Sequence, residues 1–211
     1  RTSGPKVPPG SYTATLTDGN KQVQTVNFEI IPDPSINASK ADFEEQYALS
    51  KQVFNKLDET HKGINKLRDM KSSIEKFNKS VTDTTLSREF KSYTKPTVSK
   101  IDSLEQLLVQ NKAVAFQDLL AYPIRLNDKL AGVKSAIESA DAKPTAGTYE
   151  VFASLSEQVD KVLAEVAKIE KEFVEKEKEL VEEKNTTYFW MIIGLMVLLT
   201  IILILIIVFT R

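Results

Sequence analysis

Apolar positions fall along this chain in three different rhythms, and each rhythm predicts a different kind of element. From Ser11 to Ile31 the rhythm is alternating: Ser11-Tyr-Thr-Ala-Thr-Leu-Thr17, then Asp18-Gly19, then Val23 to Ile31 with Val26, Phe28 and Ile30 on one face. Alternation of this kind predicts two strands, and Asp18-Gly19 supplies the positive φ angles of a tight hairpin turn. A lone two-stranded ribbon is marginal in water. The strands are therefore expected to belong to a β-sandwich or to dock on a neighbour, with a hairpin lying on the chain's own helices as the alternative.

Pro32 and Pro34 end the second strand, and Ser39-Lys-Ala-Asp42 has the form of a capping box, so a first helix is expected to start near Ser39. Phe43, Tyr47, Phe54, Leu57, Ile64, Leu67, Ile74 and Phe77 then recur at steps of three, four and seven. That spacing carries the helix to about Lys79, a length of ~60 Å. The polar run Ser80 to Thr85 breaks it. A second helical region holds Ile101, Leu104, Leu108, Val114 or Ala115, and Leu119. It is interrupted at Tyr122-Pro123, resumes through Leu126, Leu130, Val133 and Ile137, and stops before Ala142-Lys-Pro144. Thr145 is the expected cap of a third helix.

That third helix carries a heptad seam: Phe152, Val159, Val166, Phe173 and Leu180 at sevenfold spacing, with Leu155, Val162 and Ile169 between them, failing only at Lys176. Such a seam serves either a coiled-coil contact with a partner or packing of its upper half on the chain's own two other helices. We take the second, an up-down-up bundle. From Glu172 to Lys184 most residues are charged, and pairs such as Glu172–Lys176 and Lys178–Glu182 support a solvated helix. Tyr188 to Phe209 then runs 22 residues without a charge. As a helix this is about 33 Å, the thickness of a bilayer's hydrocarbon core. Tyr188, Phe189 and Trp190 form an interfacial aromatic cluster at one end, and Arg211 closes the other.

Composition narrows the function classes. The 211 residues carry 28 basic and 29 acidic side chains for a net charge of -1, which gives no pull toward nucleic acid. There is no cysteine, one histidine and only seven scattered glycines, so neither a metal centre nor a phosphate-cradling loop is expected. No catalytic, cofactor or metal residue is assigned. His61 is expected at the border of the bundle, and the carboxylates from Glu165 to Glu183 on a solvated face. Asn37, Asn78 and Asn185 each begin a glycan-acceptor triplet. Because the chain opens on Arg1 with no signal segment, it is expected to be a piece of something longer.

Three further stretches carry a resemblance: Leu107-Leu-Val-Gln-Asn-Lys112, Gln117-Asp-Leu-Leu-Ala-Tyr-Pro-Ile-Arg-Leu-Asn-Asp-Lys-Leu130, and Ser139-Ala-Asp-Ala-Lys-Pro-Thr145 with Tyr149-Glu-Val-Phe152. With Gly4-Pro-Lys-Val-Pro-Pro-Gly-Ser-Tyr-Thr-Ala-Thr-Leu16 and Ile31-Pro-Asp-Pro34, they resemble the C-terminal region of bacterial sortilin-like β-propeller proteins of the Asp-box repeat type, often labelled glycosyl hydrolases. The resemblance spans residues 4 to 170 and implies a structural tail after a small β-domain, with no active residue to carry over. It also implies export. Lys171, Lys176, Lys178 and Lys184 precede the span and only Arg211 follows it, so a positive-inside count alone puts the bundle in the cytoplasm. Long domains, however, translocate largely regardless of charge.

The expected architecture is mainly α: a partial β-sandwich hairpin over residues 1–36, a long antiparallel three-helix bundle over 37–170, a charged helical stalk over 171–187, and one transmembrane helix over 188–210. The expected role is a non-catalytic, single-pass scaffold with its bundle extracytoplasmic and its C-terminus cytoplasmic. Its partners would be the lipid bilayer and either other membrane-complex subunits or an upstream β-propeller. Two alternatives are the anchor of a propeller hydrolase and a cytoplasm-facing, tail-anchored tether.

Overall fold

A computed structural model describes the backbone of residues 3–80, 84–113 and 115–209. Side chains are described within those ranges except at 77, 80, 84–87, 89, 116, 119, 177, 180, 181 and 183–209. The chain is mainly helical, with one N-terminal antiparallel hairpin: β1 (Gly10–Asp18), β2 (Lys21–Ile30), α1 (Lys40–Ser80), α2 (Thr84–Leu108), a 3-10 turn (Phe116–Leu120), α3 (Leu126–Glu138) and α4 (Ala146–Phe209).

The hairpin forms where the alternation places it, with its turn one residue further on. Asp18 pairs with Lys21, so Gly19 and Asn20 make the turn, and Gly19 alone takes a positive φ, +59°. A glycine first and a residue of negative φ second is the other solution that the right-handed twist of a hairpin allows. The register then slips between Leu16 and Thr17, because Leu16 faces Gln24 while Thr17 faces Gln22. Val23 is left over as a bulge, out of step with Val26 and Phe28.

Helix α1 starts as its capping box dictates: the Ser39 N–H donates to Asp42 Oδ2 at 2.8 Å, and the Asp42 N–H donates to Ser39 Oγ at 3.2 Å. Its buried stripe is Phe43, Leu49, Val53, Leu57, Ile64, Leu67, Met70 and Ile74. Val53 takes the seat that the spacing assigned to Phe54, which is half-buried. Two helices share this stripe. Arg68 and Lys71 pair with Glu105 and Asp102 of α2, at 2.6 and 2.7 Å, so α2 runs antiparallel along the C-terminal half of α1. Gln46 Nε2 donates to the Ile137 carbonyl at 2.6 Å, which sets the C-terminal end of α3 beside the N-terminal end of α1.

The second helical region is therefore two helices, and the break between them is longer than Pro123 alone requires. Helix α2 keeps Pro96 inside it but ends at Leu108. The connection to α3 holds a 3-10 turn in which Asp118 accepts the Ala115 N–H at 2.8 Å. Helix α3 then ends before Pro144, and the Thr145 hydroxyl accepts the Thr148 N–H at 3.3 Å where α4 begins.

The chain divides into two compact units, Arg1–Val166 and Ala167–Arg211. In the first, α4 lies parallel to α1: Tyr149 donates to Glu45 at 2.9 Å, Lys56 pairs with Asp160 at 2.9 Å, and Lys100 of α2 reaches Glu165 at 3.1 Å. A Cβ at Gly63 would lie 2.3 Å from Leu163 Cδ2, so glycine lets the two helices approach closely there. Of the heptad positions, Leu155, Val159, Val162 and Val166 are buried and Phe152 is half-buried, so this part of the seam is internal to the chain. In the second unit Ile169 is buried, Phe173 is half-buried, and Lys171–Glu175 and Lys176–Glu179 pairs line an exposed surface.

Among the described residues no helix is long and apolar enough to cross a membrane. The side chains of 188–210, where the sequence places the span, lie outside the described residues, as do those of Tyr188, Phe189, Trp190 and Arg211.

Val159 is fully buried. Val159→Asp is expected to remove the cooperative thermal transition of the helices, because it puts an unpaired carboxylate into the core at a loss of several kcal/mol. A melt followed by circular dichroism at 222 nm checks this.

Candidate interaction surface

Three surfaces stand out from the packed helices. The first is one face of the hairpin. Tyr12 faces Phe28, Ala14 faces Val26 and Leu16 faces Gln24, and Tyr12 and Phe28 stack with ring centroids 6.0 Å apart. The opposite face is Ser11, Thr13, Thr15, Thr25, Asn27 and Glu29, as the alternation requires. The apolar face is uncovered: Leu16 is 61 %, Val26 51 % and Phe28 46 % exposed. Among the described residues neither strand packs on α1, α2 or α3. All residues of both strands except Gly10, Tyr12 and Ile30 are exposed, so the apolar face of the hairpin does not lie on the chain's own helices.

The second surface is the α2–α3 connection, where Leu107, Leu120, Tyr122 and Ile124 are exposed, Leu120 to 91 %. Gln110 Nε2 holds the loop to the Pro123 carbonyl at 3.1 Å. These are individual exposures within and after the end of α2, and singly exposed apolar residues are ordinary on a protein surface.

The third feature is a polar cluster that fastens the N-terminal segment to α3, and nothing in the hydrophobic rhythm signals it. Lys134 is buried at 4 % exposure. Its ammonium donates to Glu138 Oε2 at 2.6 Å and to the Gly4 carbonyl at 3.2 Å. The other oxygen of Glu138 accepts the Lys6 N–H at 3.1 Å and the Ser50 hydroxyl, while the Lys6 ammonium pairs with Asp141. Burial raises the Glu138 carboxyl, but the hydrogen bonds from Lys134, Ser50 and the Lys6 N–H outweigh it and hold the group below the usual glutamate value.

His61 is exposed on α1, as a border position requires. Asn37 is exposed before α1, Asn78 is half-buried in it, and the side chain of Asn185 lies outside the described residues. Among the described residues no group of three histidine or acidic side chains is placed to hold a metal ion. Comparison of the chain with protein-family models, with curated proteins and with solved structures finds no match.

Breaking a buried ion pair by removing one partner leaves the other charge uncompensated. Glu138→Leu is accordingly expected to lower stability by about 3 kcal/mol, the low end of the usual range because Glu138 keeps some solvent access. For a chain of this size that is a fall of roughly 6–12 °C in Tm. The pH dependence has a definite sign. The folded value of Glu138 lies below its unfolded value, so the contact contributes fully above the ordinary glutamate range and is lost as pH falls through the depressed folded value. An NMR titration should show the Glu138 carboxyl and the Lys6 amide moving together, with a midpoint below that of an exposed glutamate.

Proposed function

We propose that this chain is a non-catalytic structural module, anchored in a membrane, that holds an extracytoplasmic domain or a larger membrane complex at the bilayer. The observation that carries this reading is the uncovered apolar face of the hairpin beside helices whose own core is filled. Leu16, Val26 and Phe28 stay in water on a ribbon with two open edges, whereas Leu155, Val159, Val162 and Val166 are used up inside the chain. A face like that is a place for another protein. On this reading the hairpin belongs to a β-sandwich completed by a partner or another domain, and α1, α2 with α3, and α4 form the antiparallel three-helix bundle.

The membrane part rests on the sequence. Tyr188 to Phe209 carries no charge, and the α4 backbone is helical to Phe209. A helix satisfies its own backbone hydrogen bonds, which is the condition for crossing hydrocarbon. The charged residues 171–187 act as a stalk on this reading, and Tyr188, Phe189, Trp190 and Arg211 mark its interfaces with the bilayer. A span without an ionisable group has nothing to carry a proton or an ion, which suits an anchor better than a transporter.

Two measurements test the proposal. Residues 1–184 are expected to stay monodisperse in plain buffer and the full chain only in detergent; a full chain monodisperse without detergent refutes the anchor. Purified from its native membrane in mild detergent, the chain is expected to appear by mass analysis with other membrane subunits or an upstream domain, and a lone monomer refutes the scaffold.

A further inference from the structure

The hairpin joins the helices by two tethers, and they are built differently. On the C-terminal side, residues 31–39 contain Pro32, Pro34 and a local turn in which Asp33 Oδ1 accepts the Ser35 N–H at 2.8 Å and the Asp33 carbonyl accepts the Ile36 N–H at 3.1 Å. These bonds shape the linker locally, and the bond to a helix comes only at its end, where Ser39 caps α1. On the N-terminal side, residues 4–6 are fastened to α3 and its exit at three points: the Gly4 carbonyl to Lys134, the Lys6 N–H to Glu138, and the Lys6 ammonium to Asp141.

The path from those points to the hairpin is stiff. Pro5, Pro8 and Pro9 fix their own φ angles and bias the residue before each toward extended backbone. At the far end the Tyr12 hydroxyl donates to the Pro8 carbonyl at 2.6 Å, and the same ring stacks on Phe28 of β2. Tyr12 therefore sets the angle between the strap and both strands. With both strands exposed apart from Gly10, Tyr12 and Ile30, the direction of the hairpin depends on its two tethers, and this one is bonded to α3.

We propose that Lys134 and Glu138, together with Gly4, Lys6 and Asp141, form a latch that fixes the direction of the hairpin against the helices. Opening it frees the hairpin to swing on residues 31–39 while the helices stay folded. The anchor of the latch is inside the fold: Lys134 is buried, and Ser50 of α1 holds the second carboxylate oxygen. Its outer half, Lys6, is exposed and can leave without opening the core. The device stands independently of any anchoring role.

The chain has no cysteine, so two introduced ones label cleanly. Thr15→Cys in β1 and Lys161→Cys in α4 are both at exposed positions. Spin labels on them in the full, detergent-solubilised chain are expected to give one narrow distance by pulsed EPR. Adding Lys6→Pro removes the N–H and the ammonium together and touches no core residue. It is expected to broaden that distance into a distribution while the melt of the helices is unchanged. In parallel, Lys134→Met is expected to speed exchange of the Lys6 amide by about tenfold or more, since its acceptor loses the partner that positions it. If Lys134→Met also lowers the melt, Lys6→Pro decides. A broad distribution already present before Lys6→Pro, or a narrow one that survives it, overturns the latch.

Discussion

The stripe of apolar residues on α1 is continuous from Phe43 to Ile74, and no single antiparallel neighbour in the described chain is long enough to cover it. Helix α1 has 41 residues, α2 has 25 and α3 has 13. The mismatch is met by laying α2 and α3 end to end along one side while α4 runs along another. Arg68 and Lys71 register α2 on the lower half, and Gln46 and Ser50 register α3 on the upper half. The seam of α4 can then face inward without meeting a gap. A break in the middle layer is a consequence, because two helices set end to end need a connection that leaves the axis and returns. The exposed Leu107, Leu120, Tyr122 and Ile124 sit at or beside that connection.

Gln46 shows how tightly the joint is made. Its amide nitrogen donates to two carbonyls at the end of α3, those of Ile137 and Ala140, which otherwise have no helical partner. A buried polar residue from one helix thus closes the end of another, and it pays for its desolvation with those bonds. Thr60 and Thr94, also buried, turn their hydroxyls back to the carbonyls of Lys56 and Phe90 on their own helices. Two buried charges are instead satisfied across elements: Glu105 of α2 by Arg68 of α1, and Lys134, paired with Glu138 on its own helix, by the N-terminal strap.

What the sequence made legible follows from the range of each signal. The Ser39 to Asp42 box and the Thr145 cap act within three residues and were found where the spacing put them. The α4 seam was equally readable up to Val166, because a heptad repeat is a property of one helix. Longer-range features were not readable. Val53 displaces Phe54 from the core, and the second helical region splits near Leu108 instead of at Pro123, because the neighbouring helices decide both. The hairpin turn falls at Gly19-Asn20, since a slip at Leu16 resets the register that Asp18-Gly19 implied. Lys134 reads in sequence as one lysine among many. Only the return of residues 4–6 across α3 gives it a reason to be buried.

A two-stranded ribbon has little to hold it in water. Here the ring stack of Tyr12 on Phe28, the Tyr12 bond to Pro8 and the proline-rich strap restrict it before anything binds. This matters for the proposed scaffold because association loses free energy to every segment that must be ordered on contact. A hairpin already held in one direction presents Leu16, Val26 and Phe28 as a formed surface, so a partner sheet gains the burial of those side chains without first ordering the strands. An unlatched hairpin would present the same residues from many directions and bind correspondingly more weakly. The buried charge at Lys134, which adds little to the core itself, is then best understood as setting the direction from which that partner is met.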